Sequence, residues 1–271
     1  MTSRAGVAFV HAHPDDEALF SAGTIAHYVD RGHRTLLVTC TDGRGGLDDR
    51  AAAGNSPRHH SDWTRVTRAG ELAASVAMLG IDRHVCLGYR DSGLEGWPMS
   101  EHSDAFINAD LDATARTVAN LLDEEDVKVV VTYDENGYYG HPDHIRAHLV
   151  TLRAAELSSS LERVYFPVTP ARVLEQFIPA AKLAGVTLPL WVLDAGEGVG
   201  DDDIDVTIDA TQWAALKQRS IAAHASQVDN ADLVTMDEDL FRLLFGREYY
   251  VLGWSRGPKP GALDDLCGGL S

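Results

Sequence analysis

The sequence predicts an α/β fold: a Rossmann-like, mainly parallel sheet flanked by helices, with a smaller C-terminal α/β section. Over the first 170 residues short apolar runs alternate with helix-period segments, two of those runs end in a His-Pro-Asp arrangement, and two long polar connections follow strands. In chain order, strands are expected near 6–10, 34–40, 84–87, 127–133 and 163–166, with helices near 18–31, 63–79, 110–125 and 142–157. Pro14 fixes its own φ and suits the first turn of a helix whose apolar face is Leu19, Phe20, Ile25, Ala26 and Tyr28. Pro142 does the same before Ile145, Leu149 and Leu152. Such alternation implies right-handed crossovers and a parallel sheet. The connections 41–61 and 88–108 are long for a compact domain, and both follow strands, so they are expected to wall a pocket at the carboxyl edge. Downstream, Asp201-Asp202-Asp203 opens a strand-like Ile204 to Ile208, Thr211 to Ala225 reads as an amphipathic helix, and Glu248 to Leu252 as a last strand. The tail from Gly257 is expected to be a loosely held surface segment.

Bulk properties restrict the function. A chain of 271 residues that is 45% hydrophobic can bury a substantial core. The net charge of −18 argues against a phosphate-backbone partner, because nucleic-acid affinity needs Lys and Arg to neutralise phosphates. No apolar run approaches a membrane span and no secretory pattern precedes the first strand, so a cytoplasmic location is expected. The cysteines, Cys40, Cys86 and Cys267, are odd in number and lack Cys-x-x-Cys spacing; Cys40 and Cys86 lie in strand-like runs and are expected in the core.

His13-Pro14-Asp15-Asp16-Glu17 and His141-Pro142-Asp143-His144 read as two halves of one metal site. In a tight strand-to-helix turn, side chains three apart converge, so His13 and Asp16 can bind one ion while Asp15 faces its water. The second motif offers His141 and His144 at the same spacing. Imidazole nitrogens and a carboxylate make up the three protein ligands of a catalytic zinc, which keeps a fourth position for water. Acids after a proline also make a good generic helix start, and His141 alone could be a helix cap. Capping, however, does not call for a histidine before each proline. On this reading residues 1–170 form the metal-binding core, and 171–271 pack on the same domain and complete the pocket.

Two competing chemistries lack their motifs. Nucleotide binding would need Gly-x-Gly-x-x-Gly after the first strand, where His11-Ala12-His13-Pro14-Asp15-Asp16 stands; the cluster Gly43 to Gly46 reads as a flexible turn. No Gly-x-Ser-x-Gly elbow supports a serine nucleophile.

Ala12-His13-Pro14-Asp15-Asp16-Glu17, Arg68-x-x-Glu71-Leu72, Arg90-Asp91-Ser92-Gly93, Gly137-x-Tyr139-Gly140-His141-Pro142-Asp143-His144 and Ala223-His224-Ala225-Ser226-Gln227 together resemble the zinc-dependent de-N-acetylases of the LmbE or PIG-L type. The likeness is greatest to the mycothiol-pathway branch of deacetylase and conjugate amidase. It implies a hydrolase acting on the acetamido group of an N-acetylglucosamine-type substrate. The metal ligands would be His13, Asp16 and His144, and the metal zinc, with iron(II) an alternative that fits the same donors. Asp15 would be the general base. His141, charged and oriented by Asp143, and Tyr139 would stabilise the oxyanion or protonate the leaving amine. Arg68, Asp91 and His224 would contact substrate, although a histidine ending a helix also suits the helix dipole. His11 is expected to be buried, and His59-His60 to lie on a polar loop without identified partners.

The expected partner is a small amino sugar or glycoside, with self-association into a homo-oligomer left open. Two segments depart from the mycothiol deacetylase pattern, Asp42-Gly43-Arg44-Gly45-Gly46 and the shortened Leu87-Gly88-Tyr89, and both would alter the pocket wall. The alternatives are therefore a mycothiol-conjugate-type amidase or a natural-product tailoring deacetylase and, from another class, a non-catalytic metal-containing sugar-binding protein.

Overall fold

The computed structural model describes residues 5–183, 185–188, 192, 198–261 and 263–270. Its strands are β1 (Gly6–His11), β2 (Thr35–Thr41), β3 (Arg83–Tyr89), β4 (Val127–Val131), β5 (Arg163–Val168), β6 (Val206–Asp209) and β7 (Arg247–Ser255). They form one seven-stranded sheet in the order β3-β2-β1-β4-β5-β7-β6. The first five in that order pair in parallel, and β7 then pairs antiparallel with β5 and with β6. The chain order reverses between β1 and β4. A crevice opens at such a switch point beyond the carboxyl ends of the strands, and both His-Pro-Asp motifs lie there.

The sheet is covered on both faces, as parallel sheets require. Period-2 alternation divides β1: Ala8 and Val10 join the core beneath α4 (Leu111–Glu124) and α6 (Pro142–Leu157), while Val7 and Phe9 join the core beneath α2 (Ala22–Asp30) and α3 (Ser61–Leu79). These β1 side chains are fully buried. Burying one large apolar side chain contributes roughly 1.5–3 kcal/mol, so the central strands hold the site's floor rigid.

Several local expectations are corrected. The helix expected near 18–31 starts at Asp16 and breaks at Ser21, giving α1 (Asp16–Phe20) and α2; Ser21 leaves helical φ/ψ and its hydroxyl meets His11 Nε2 at 2.7 Å. A short distorted turn, α5 (Gly137–Gly140), precedes α6. Helices α7 (Ala171–Leu183), α9 (Ala231–Thr235) and α10 (Glu238–Phe245) were not anticipated: Pro179 interrupts the pattern of the first, and the other two are short. The expected 211–225 helix is a 3-10 turn followed by α8 (Ala214–Ala223).

Cys40 is buried but Cys86 is exposed, because β3 is the sheet's edge strand. The tail is not loose either. Leu266 is fully buried, and Arg163 Nη1 donates to the carbonyls of Leu266 and Gly268.

Candidate metal centre

The turn after β1 brings two carboxylates, Asp15 and Asp16, into the crevice and buries a third, Glu17, behind it. Asp15 adopts φ 112°, a left-handed conformation that costs most non-glycine residues about 1–3 kcal/mol and that Asp tolerates better than most. It is held at both ends. Its N–H donates to Glu17 Oε2 at 3.1 Å, and its Oδ1 lies 2.9 Å from Arg68 Nη2. Arg68 comes from α3, is 3% exposed, and also donates to the carbonyls of Pro14 and Gly43. Burial pushes the Asp15 carboxyl up to about 7, opposed by Arg68 and reinforced by Asp16.

His13, Asp16 and His144 converge from the two motifs. His13 Nδ1 lies 3.3 Å from His144 Nε2 and 3.5 Å from Asp16 Oδ2, and His144 Nε2 lies 3.5 Å from Asp16 Oδ1. Neighbouring ligands on a tetrahedral ion with bonds of about 2.0–2.1 Å stand about 3.3–3.4 Å apart, as the two histidine nitrogens do. The two Asp16 distances are to its different oxygens, of which Oδ2 also accepts from the His13 N–H and the Tyr133 hydroxyl. The second partner of each ring makes the case for a cation. His144 Nδ1 faces the Gly137 carbonyl at 3.2 Å, and His13 Nε2 faces Asp143 Oδ2 at 3.3 Å, so each of those nitrogens carries a hydrogen. The nitrogens that remain, His13 Nδ1 and His144 Nε2, face each other beside a buried carboxylate. Burial disfavours charge on His13, yet Asp91, Asp143 and Asp16 hold its pKa well above the ordinary range; for Asp16 burial is outweighed by His144 and His13, which hold it well below. The donor set fits a divalent metal ion.

His141 sits beside this cluster, its nitrogen within 4.8 Å of those of His13 and His144. It is a helix cap as well as a pocket residue: Nδ1 accepts from the Asp143 N–H at 3.1 Å, which leaves the proton of the neutral ring on Nε2. Two expectations are corrected here. Asp143 orients His141 through its backbone N–H: its Oδ2 meets His13 and accepts from the Ser92 N–H at 2.9 Å, and its Oδ1 has no partner among the described residues. Nor is His141 charged: burial, then His13 and His144, push its pKa well below the usual value. Tyr139 lines the same cleft, and burial together with Asp16 and Asp15 raises its pKa well above 10, so it remains a donor.

The cleft is open and about 520 Å³ in volume, and both long connections wall it, through Gly45, Gly46, Leu47 and Ala53 on one side and Gly93, Leu94 and Trp97 on the other. Asp91 ties them together, accepting from Gly45 N at 3.0 Å and from Gly93 N at 2.8 Å. The glycine cluster is therefore a close-packed wall and not a flexible turn. A Cβ on Gly45 would meet the Asp91 carboxylate at 2.8 Å, and one on Gly46 would meet Arg68 Nη1 at 2.5 Å. His59 has partners after all, bonding the carbonyls of Ala52 at 2.8 Å and Arg44 at 2.7 Å, while His60 faces Asp49 at 3.3 Å.

His224 does not line the cleft. It is 2% exposed, at the end of α8, and bonds Glu17 Oε1 at 2.7 Å behind the Asp15 turn. The sequence reading gave no role to Tyr133. Its hydroxyl donates to Asp16 Oδ2 at 2.6 Å and accepts from Ala12 N, while its ring stacks on His144 with centroids 3.9 Å apart. The only signal for it was an aromatic residue ending the run before the second motif.

A family model described as PIG-L, GlcNAc-PI de-N-acetylase, matches residues 8–155. The 1D-myo-inositol 2-acetamido-2-deoxy-alpha-D-glucopyranoside deacetylase of Salinispora arenicola is 40% identical, covering 96% of this chain and 90% of its own length. Among solved structures, N,N'-diacetylchitobiose deacetylase of Pyrococcus horikoshii covers 91% of this chain and 83% of its own at a TM-score of 0.57 and 20% identity. The 4-carboxy-2-hydroxymuconate hydratase of Pseudomonas putida KT2440 covers 96% of this chain and 100% of its own at a TM-score of 0.58 and 15% identity. A deacetylase and a hydratase thus share this architecture, so chemistry has to be argued from the site.

Proposed function

This chain belongs to the PIG-L family, and from that premise we propose that it is a zinc-dependent hydrolase that removes acetyl from the amide nitrogen of an N-acetylglucosaminyl-inositol. His13 Nδ1, His144 Nε2 and Asp16 would hold the ion. When bound, it supplies Lewis acidity, activating water at neutral pH and polarising the amide carbonyl.

The chain's own groups do the rest. Asp15 accepts the proton of the attacking water; its carboxyl near 7 suits a base at neutral pH, although a divalent cation beside it would draw it down. Arg68 fixes the direction of that carboxylate. His141 donates from Nε2, and Tyr139 from its hydroxyl, towards the oxygen that gains charge as water adds to the carbonyl carbon. The C–N bond then breaks, and Asp15 returns its proton to the departing nitrogen, giving a free amine and acetate. Asp91 and Arg68 shape the pocket that receives the sugar.

The observation that carries this reading is the convergence of two imidazole nitrogens and a carboxylate beside Asp15 at one open cleft. A structural zinc normally has four protein ligands and needs no free carboxylate beside it. Acetate release from N-acetylglucosaminyl-inositol is expected from zinc-reconstituted protein and should vanish with chelator. Asp15→Asn should keep its zinc and lose about 10²–10⁴-fold in kcat. Fully metallated wild-type protein that cleaves no acetamido sugar would favour the sugar-binding alternative. A second reading, a glycoside with a less polar aglycone as in natural-product tailoring, is favoured by the apolar flank of Leu47, Leu94, Trp97 and Leu188. Higher kcat/KM on an apolar N-acetylglucosaminide than on the inositol glycoside would select it.

A further inference from the structure

Glu17 closes the first motif, and His224 belongs to a motif 207 residues away; neither lines the cleft, yet they form a buried pair. Their side chains are each 1% exposed and 2.7 Å apart. A buried ion pair is a poor stability device, since apolar residues of similar volume often serve as well or better. This one is incomplete besides, because His224 Nδ1 has no partner among the described residues.

The contacts of Glu17 point to a different job. Oε1 takes His224 and the Ser75 hydroxyl, at 2.7 and 2.6 Å, which fixes the carboxylate between α3 and α8. Oε2 accepts the N–H of Asp15, the residue at φ 112°. The rest of the turn after α8 is anchored too. Ser226 bonds Glu71 of α3 through its N–H and hydroxyl at 2.7 and 2.8 Å, and Gln227 Oε1 accepts from Leu47 N at 3.1 Å.

We propose that Glu17 and His224 are positioning residues: the pair clamps the backbone of Asp15 in its left-handed conformation while Arg68 holds the carboxylate, so that the base is aimed by two separate contacts. This rests on the reading of Asp15 as the base. The clamp acts only through geometry, and misplacement by about 1 Å can cost a reaction about 100-fold.

The test is the double variant Glu17→Leu/His224→Leu, which replaces the pair with apolar groups of similar volume. We expect a cooperatively folded protein with unchanged zinc content and unchanged KM, and with kcat down about 100-fold. Glu17→Gln, which keeps a carbonyl oxygen for the Asp15 N–H, should recover kcat to within about tenfold of wild type. A double variant with wild-type kcat, or a Gln variant as slow as the double variant, overturns the clamp. If wild-type protein deacetylates nothing, the proposed function fails instead, and the clamp is judged from a crystal structure of the double variant. Asp15 should there have left positive φ; its retention near the wild-type angle would refute the proposal.

Discussion

At the scale of single residues, the candidate centre is decided by which nitrogen or oxygen each side chain presents. Tyr133 is the clearest case, since one side chain holds two of the three proposed ligands, Asp16 by its hydroxyl and His144 by its ring. Tyr133→Phe keeps the stacked ring and removes the hydrogen bond. Its zinc affinity, measured by competition with a chromophoric chelator, should fall about 10–100-fold, the usual effect of losing a group that orients a ligand. Unchanged affinity would mean that Asp16 is held well enough by the His13 N–H at 2.6 Å. The shared turn of His13, Asp15 and Asp16 was legible because proline and three-residue spacing define it locally. The roles of Asp143 and His224 were not, because each side chain chooses between partners that only the folded chain brings near.

At the scale of elements, the pocket depends on two loops that share one carboxylate. Asp91 accepts from Gly45 and Gly93, which lie on different sides of the cleft, and a hydrogen bond to a charged group contributes about 1.5–3 kcal/mol. Asp91→Ala should therefore loosen both walls. Amide exchange around residues 43–47 and 91–94 should quicken in the substrate-free protein, and KM should rise roughly tenfold with kcat nearly kept. If Asp91 only bound a substrate hydroxyl, exchange in the free protein would not change. Loop length and position after strands were enough to expect pocket walls. They did not reveal that the glycines of 43–46 serve close packing, because a glycine's neighbours are absent from its own sequence window.

At the scale of the whole molecule, the C-terminal segment closes the far side of the fold over α2. Asp265 accepts from Tyr28 OH at 2.8 Å, meets His27 Nε2 at 3.2 Å and caps Cys267 N at 2.8 Å. Burial raises its carboxyl, but the hydrogen bonds from His27 and Tyr28 outweigh this and hold it at about 2. An unfolded Asp titrates near ~3.9, so the folded state is favoured above that pH, and the contribution is lost as pH falls through about 2. Hydrogen exchange in residues 263–270 should be slow and level from pH 7 to 5, after correction for intrinsic rates, and should rise on acidification from about pH 4 towards 2. Asp265→Asn should raise exchange at pH 7 and flatten that dependence; a wild-type tail equally protected at pH 2 would rule this anchor out.

What the sequence determined by itself was the alternation that builds a parallel sheet and the pair of motifs at its carboxyl edge. Periodicity and proline act over a few residues and so survive without coordinates. Tertiary structure alone decided the pairing of buried polar groups: Asp143 with His13, Glu17 with His224, Tyr133 with Asp16 and Asp265 with the α2 ring pair. A buried donor or acceptor must find a partner wherever the fold has left one within reach, and those partners lie up to 238 residues away in the chain.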